Sequence, residues 1–203
     1  MGAFVKTVDN NLINNNNMKK ILFMVFLAVL TFGVNAQVNF MGIPVDGSAT
    51  EMIQKLKDKG FRETIGKYEN EGKQFPVLEG SFNGSNVALY VATNHGKVYR
   101  IMVFCRNGYD EASIITQFNV LFNQFFNNKK YIHIDGEEIP SDEDVSYEMS
   151  IHNKIYQAVF RQVVFGNTES ENMVWFMVKK IYGEYFIVIY YDNEVNAPNG
   201  EDL

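Results

Sequence analysis

Residues 75–105 read Phe75-Pro-Val-Leu-Glu-Gly-Ser-Phe82-Asn83-Gly84-Ser-Asn-Val-Ala-Leu-Tyr90-Val-Ala-Thr-Asn94-His95-Gly96-Lys97-Val98-Tyr-Arg-Ile-Met-Val-Phe-Cys105. Asn83-Gly84 is the dipeptide best suited to the positive φ angles of a type I′ hairpin turn. After it, Val87, Leu89 and Val91 alternate with Ala88, Tyr90 and Ala92. Asn94 to Lys97 forms the next turn, and Val98 to Cys105 the next alternating run, so the stretch predicts an antiparallel meander. Its last residue is the only cysteine in the chain. That excludes an intrachain disulfide and any multi-cysteine metal site. Cys105 shares its alternation with Val103, Ile101 and Tyr99, the pattern of a buried, inert thiol. His95, in the turn, reads as a solvated turn residue.

Upstream, Gly42 to Phe61 carries the start, body and stop of one helix. Ser48 and Glu51 have the capping-box spacing, and Met52, Ile53 and Leu56 form an apolar stripe. Gly60 is placed to end the helix in the left-handed conformation, with Phe61 falling on Leu56. Arg62 to Gly72 is polar and reads as an edge strand or a loop. Downstream of the meander, from Asp110, the apolar period changes from two to 3.6. Ile114, Ile115, Phe118, Leu121, Phe122, Phe125 and Phe126 line one side of a long helix, a stripe expected in the core and not around a cofactor.

The second half repeats that order crudely. Tyr131 to Ile134 predicts a short strand, with His133 on the face opposite Ile132 and Ile134. In Pro140-Ser141-Asp142-Glu143-Asp144, Ser141 suits an N-cap, and acids in a first turn suit the helix dipole. Asp142, Glu143 and Asp144 are also weak candidates for a calcium ion, although their spacing is not that of an EF-hand loop. Residues 145–152 match both strand and helix periods, and the cap favours a short helix. Strands follow over Ile155–Val163, Met173–Lys180 and Tyr185–Tyr191, the last two joined at Tyr182-Gly183-Glu184.

These elements predict an α+β domain: an antiparallel sheet of about six or seven strands with two or three helices on one face, and a crude tandem helix-plus-meander duplication. Helices are about 10 Å wide and strands about 4.8 Å apart, so that layer roofs one face and leaves the other open. The open face is the expected binding surface. Tyr90, Tyr156, Trp175, Tyr185 and Tyr191 are its candidate contacts.

Met18-Lys-Lys-Ile-Leu-Phe-Met-Val-Phe-Leu-Ala-Val-Leu-Thr-Phe-Gly-Val-Asn-Ala36 reads as an export signal, cleaved near Ala36/Gln37. Its apolar run is shorter than the roughly 20 residues a membrane span needs. Residues 1–17 are Asn-rich and aperiodic, an expected disordered or artefactual extension, and residues 37–203 form a single domain. The formal charge is −6, and losing Lys6, Lys19 and Lys20 against Asp9 makes residues 37–203 more acidic still. An acidic domain is a poor ligand for nucleic acid. A periplasmic or secreted location follows from these readings.

Phe40-Met-Gly-Ile-Pro-Val-Asp-Gly, Met52-Ile-Gln-Lys-Leu-Lys-Asp-Lys-Gly-Phe61, Glu79-Gly-Ser-Phe82, Val98-Tyr-Arg-Ile-Met-Val103, Tyr190-Tyr-Asp-Asn193 and Glu201-Asp-Leu203 together give the chain a further meaning. It resembles a set of small exported single-domain proteins of unknown function from gut-dwelling Gram-negative anaerobes. The resemblance implies export and one domain, and no activity, cofactor or catalytic residue. The expected function is therefore a non-enzymatic binding module with a protein, peptide or glycan partner. One alternative is an inhibitor or accessory protein of a secreted enzyme, since the architecture resembles the helix-plus-sheet repeats of β-lactamase-inhibitor-like proteins. A hydrolytic enzyme of unknown type is the second alternative, but no His-x-x-x-His, Gly-x-Ser-x-Gly, phosphate-loop or Cys-His signature is present, and no cofactor is expected.

Overall fold

The computed structural model describes residues 37–70, 73–163 and 172–198, the backbone alone at 65–70 and 73–75. The sequence-predicted extension 1–17 and export signal 18–36 lie outside the described residues. In chain order the elements are β1 (Asn39–Phe40), β2 (Ile43–Pro44), α1 (Ala49–Asp58), β3 (Arg62–Asn70), β4 (Lys73–Phe82), β5 (Ser85–Asn94) and β6 (Lys97–Cys105). Then come α2 (Glu111–Phe126), β7 (Tyr131–Asp135), α3 (Val145–Ile151), β8 (Gln157–Gln162), β9 (Asn172–Ile181) and β10 (Glu184–Asn193). β1 and β2 pair only with each other, and the other strands form one eight-stranded antiparallel sheet in the order β3-β4-β5-β6-β10-β9-β8-β7.

The sheet has eight strands rather than six or seven because polar Arg62–Asn70 is an edge strand, paired to β4 across an irregular register. Each half of the chain runs from a helix through four strands, and the last strands of the two halves, β6 and β10, meet at the centre. Asn83 and Gly84 have φ angles of 50° and 77°, His95 and Gly96 of 47° and 79°, Tyr182 and Gly183 of 51° and 89°. Three tight hairpins with both central residues at positive φ therefore set the registers of β4–β5, β5–β6 and β9–β10.

α1 begins as its sequence dictates: the Glu51 N–H donates to Ser48 Oγ while the Ser48 N–H donates to the Glu51 carboxylate. It ends where Gly60 turns to φ 96° and Phe61 donates its N–H to Leu56 O. α2 is capped by Asp110, whose carboxylate accepts from the Ser113 N–H at 2.8 Å, and Tyr109 exchanges two backbone hydrogen bonds with Tyr185. α3 is a helix as its cap implied, but the N-cap is Asp144, not Ser141, with Tyr147 N–H on its carboxylate at 2.8 Å. Ser141 falls in the turn before it.

All three α-helices among the described residues pack on one face. Met52 and Leu56 of α1, Ile114, Ile115, Phe118, Phe122 and Phe125 of α2, and Val145 of α3 are buried against Leu78, Leu89, Ile101, Val103, Phe160, Phe176 and Ile189 of the sheet. Phe126, placed in the α2 stripe by period, is exposed and stacks on Phe122 at 5.6 Å instead. The β1–β2 hairpin fills the rest of this layer, with Phe40 fully buried between Phe82 and Tyr191 at centroid distances of 5.1 and 5.0 Å. Polar side chains from distant strands tie it down. Gln162 bonds both backbone groups of Asn39, and Asn193 Nδ2 donates to Val45 O at 2.7 Å.

Candidate binding face

Strand alternation sends every second residue to the face away from the helices. The registers line these residues up in rows across the sheet. The central row is Val77, Tyr90, Met102, Tyr190, Trp175 and Val159, in strand order β4-β5-β6-β10-β9-β8. Beside it runs Glu79, Ala88, Phe104, Val188, Met177 and Gln157, and on the other flank Ala92, Arg100, Asp192, Met173, Arg161 and Ile132. Met177, Val188 and Tyr190, with Met102, Phe104 and Trp175, form a second apolar cluster separate from the core. Every one of them is a strand residue, and among the described residues no helix contributes to it.

The centre of the face is rigidly built. The Trp175 and Tyr190 rings stack in parallel, 3.9 Å between centroids and 9° between planes. The Trp175 Nε1–H donates to Asp192 Oδ2 at 2.8 Å, and Arg100 forks onto the same carboxylate, Nε to Oδ1 at 2.6 Å and Nη2 to Oδ2 at 2.7 Å. The Arg100 guanidinium also lies 5.1 Å from the Tyr190 ring centroid and 5.7 Å from those of Trp175 and Tyr99. Burial pulls the Arg100 pKa down, but the hydrogen bonds and charge of Asp192 outweigh it and leave it above its ordinary value. Arg100 is therefore a permanent cation. Phe104 of the neighbouring row stacks on Phe186 of the row beyond it, 5.1 Å between centroids. Towards the β7 and β9–β10 margins, Ile132 and Ile181 are each 37% exposed, and alternation puts both on this face; Ile155, 62% exposed, precedes β8.

Of the aromatic residues expected here, Tyr90 and Trp175 lie on the open face. Tyr156, Tyr185 and Tyr191 do not: each is buried among the helix-side core. In β10, Tyr185, Ile187, Ile189 and Tyr191 point to the helices, and Phe186, Val188, Tyr190 and Asp192 point away. Both sets are apolar, so the period cannot say which is outward. Polar residues do not break the tie, since Glu184 and Asp192 belong to one set and Asn193 to the other, and sequence reasoning missed Tyr190 and Arg100.

Other candidate groups are used structurally. Asp144 caps α3, and Glu143 accepts from the Tyr156 hydroxyl at 2.6 Å and pairs with Lys154. Among the described residues no group of three His, Cys, Asp or Glu side chains, Asp142 included, could hold a metal ion. His95 is exposed in its turn, His133 bonds Gly136 O at 2.8 Å, and His152 bonds Glu148 at 2.9 Å, each in a different place. Burial pushes the Cys105 thiol up to about 11. None of the described helices is long and apolar enough to cross a membrane.

The fold and face together define a class: an α+β domain whose antiparallel sheet, among the described residues, is covered by helices on one side only. No protein-family model matches the chain, and no curated protein or solved structure matches it.

Proposed function

We propose that this chain is an exported, non-enzymatic binding module that docks its uncovered sheet face on the surface of another protein. The observation that supports it is the stacked Trp175–Tyr190 pair, locked by Arg100 and Asp192 at the centre of a face that holds a second apolar cluster and, at its margins, exposed Ile132 and Ile181. Scattered exposed apolar residues are ordinary, but a contiguous patch of them marks an interaction site. The composition favours a protein over a glycan, because Trp, Tyr, Phe, Met and Arg are the residue types enriched where proteins meet. Size agrees. The seven spacings of about 4.8 Å between eight strands, over about 25 Å of strand length, give roughly 850 Å², close to the roughly 800 Å² that each side of a standard interface buries. Export rests on the sequence of residues 18–36.

The test is affinity capture from culture supernatant with the wild-type domain and with Trp175→Ala, followed by titration of the purified captured protein. A Trp at the centre of an interface contributes about 2 kcal/mol or more, so affinity should fall about thirtyfold or more in the variant. A captured protein that binds both forms equally overturns the reading. If it is a secreted enzyme that loses activity when bound, the module is an inhibitor using the same face.

A further inference from the structure

At the rim of the open face a cavity of about 510 Å³ is lined by Arg62, Glu79, Asn86, Arg106 and Asn107, together with Gly60, Gly80 and Val87 from the helix side. Arg62 and Glu79 are cross-strand neighbours on β3 and β4, and Arg106 pairs with the Glu79 carboxylate from the far side. Arg106 thus has a carboxylate partner while Arg62 adds a second guanidinium to the lining, so two positive charges face one negative and one positive charge is left over. Around them the cavity offers further donors from the Asn86 and Asn107 amides. Its position matters. Glu79, Ala88 and Phe104 are consecutive in one row, so Phe104 lies two strand spacings, about 10 Å, from Glu79, and Tyr190 and Trp175 lie one and two strands further on. The intervening side chain is only a methyl group, at Ala88.

We propose that this cavity is a seat for a carboxylate, supplied as an acidic side chain by the protein that covers the open face. The inference rests on the proposed docking reading for its partner, but not for its chemistry. A planar guanidinium matches a carboxylate with two parallel hydrogen bonds, and the pairing adds register to an otherwise apolar contact. Glu79 holds Arg106 in place, and Arg62, on the edge strand, is the arm that closes on the ligand.

The experiment follows the side-chain Nε–Hε signals of Arg62 and Arg106 by NMR while the intact domain is titrated with the acidic dipeptide Ac-Glu-Glu-NH2. The neutral Ac-Gln-Gln-NH2 and inorganic phosphate are titrated at matched ionic strength. Saturable shifts at both arginines with the acidic dipeptide alone are expected. Arg62→Gln should weaken them about tenfold, the cost of losing a charge-assisted bidentate contact. Arg62→Lys should recover part of the loss, and the distant Lys179→Gln should change affinity less than about twofold. Thermal unfolding verifies that each variant is folded. Equal shifts with the neutral dipeptide, or unchanged binding in Arg62→Gln, overturn the proposal. Saturation by phosphate at lower concentration than by the dipeptide also overturns it, and assigns the cavity to a phosphate-bearing ligand instead. Trp175→Ala should leave dipeptide binding intact, so the seat and the aromatic platform stand or fall separately.

Discussion

Replacing Asp192 with Ala removes the acceptor that organises the open face. In the native chain this side chain is 6% exposed and receives Arg100 in a fork and the Trp175 indole N–H. Breaking a fully buried ion pair by deleting one partner costs about 3–5 kcal/mol, because the other charge is left without compensation. The Arg100 side chain is 32% exposed, so water recovers part of that cost and about 2–3 kcal/mol is the expected loss. For a domain of this size each kcal/mol lowers Tm by about 2–4 °C, which gives a drop of about 4–12 °C. The assay is urea unfolding followed by the emission of Trp175, the only tryptophan in the chain, alongside circular dichroism as an independent probe. Arg100→Met should cost a comparable amount, and the double variant less than the sum, with a coupling of about 1–3 kcal/mol. A loss below about 0.5 kcal/mol for Asp192→Ala, or full additivity, would refute the claim that this pair and its indole bond form one unit.

Three further outcomes are expected. Cys105 is half-buried against the core instead of fully buried as its alternation implied, yet burial still pushes its thiol up to about 11. It should therefore react with iodoacetamide at pH 8 about a hundredfold more slowly than a free cysteine; a comparable rate measured by mass spectrometry contradicts that shift. Gly80→Ala should destabilise by about 1–3 kcal/mol in urea titration, because its Cβ would lie 2.5 Å from Phe61 Cδ1; the same change at exposed Gly60 acts through its positive φ instead. For Asp46, burial raises the carboxyl pKa, but hydrogen bonds from the Gly47 N–H, Asn196 and Gln37 and the charge of Lys97 outweigh it and hold the group below its ordinary value. A depressed carboxyl stabilises the fold above its unfolded pKa of about 4 and loses that contribution as pH falls through the folded value. Asp46→Asn should therefore be less stable than wild type at pH 7, with the gap closing at pH 3, and a gap that widens in acid contradicts the assignment.

What could be read from the chain and what could not have separate physical causes. α1 is legible because Ser48, Glu51 and Gly60 act on their own neighbours, and the hairpins because Asn83-Gly84 and Tyr182-Gly183 fix backbone angles locally. β3 is blurred because an edge strand of polar residues has no buried set to give it a period. The cap of α3 shifts from Ser141 to Asp144 because Glu143 is drawn to Lys154 and Tyr156, contacts that lie beyond local sequence. The open face was foreseen from the widths of helices and strands. Its membership was not, since central strands apolar on both sides reveal only that alternate residues diverge. Which set faces the helices depends on Arg100 and Asp192 meeting across β6 and β10, residues far apart in the chain.

The claim that the bare side of the sheet is the working surface is tested most directly by placing a photoreactive p-benzoylphenylalanine at position 175 or at position 120. Val120 is an exposed position on the helix side, 47% accessible. Irradiation in culture supernatant should give one discrete protein adduct from position 175 and none from position 120. The same adducts from both positions, or an adduct from position 120 alone, would place the contact on the helix layer and contradict the account.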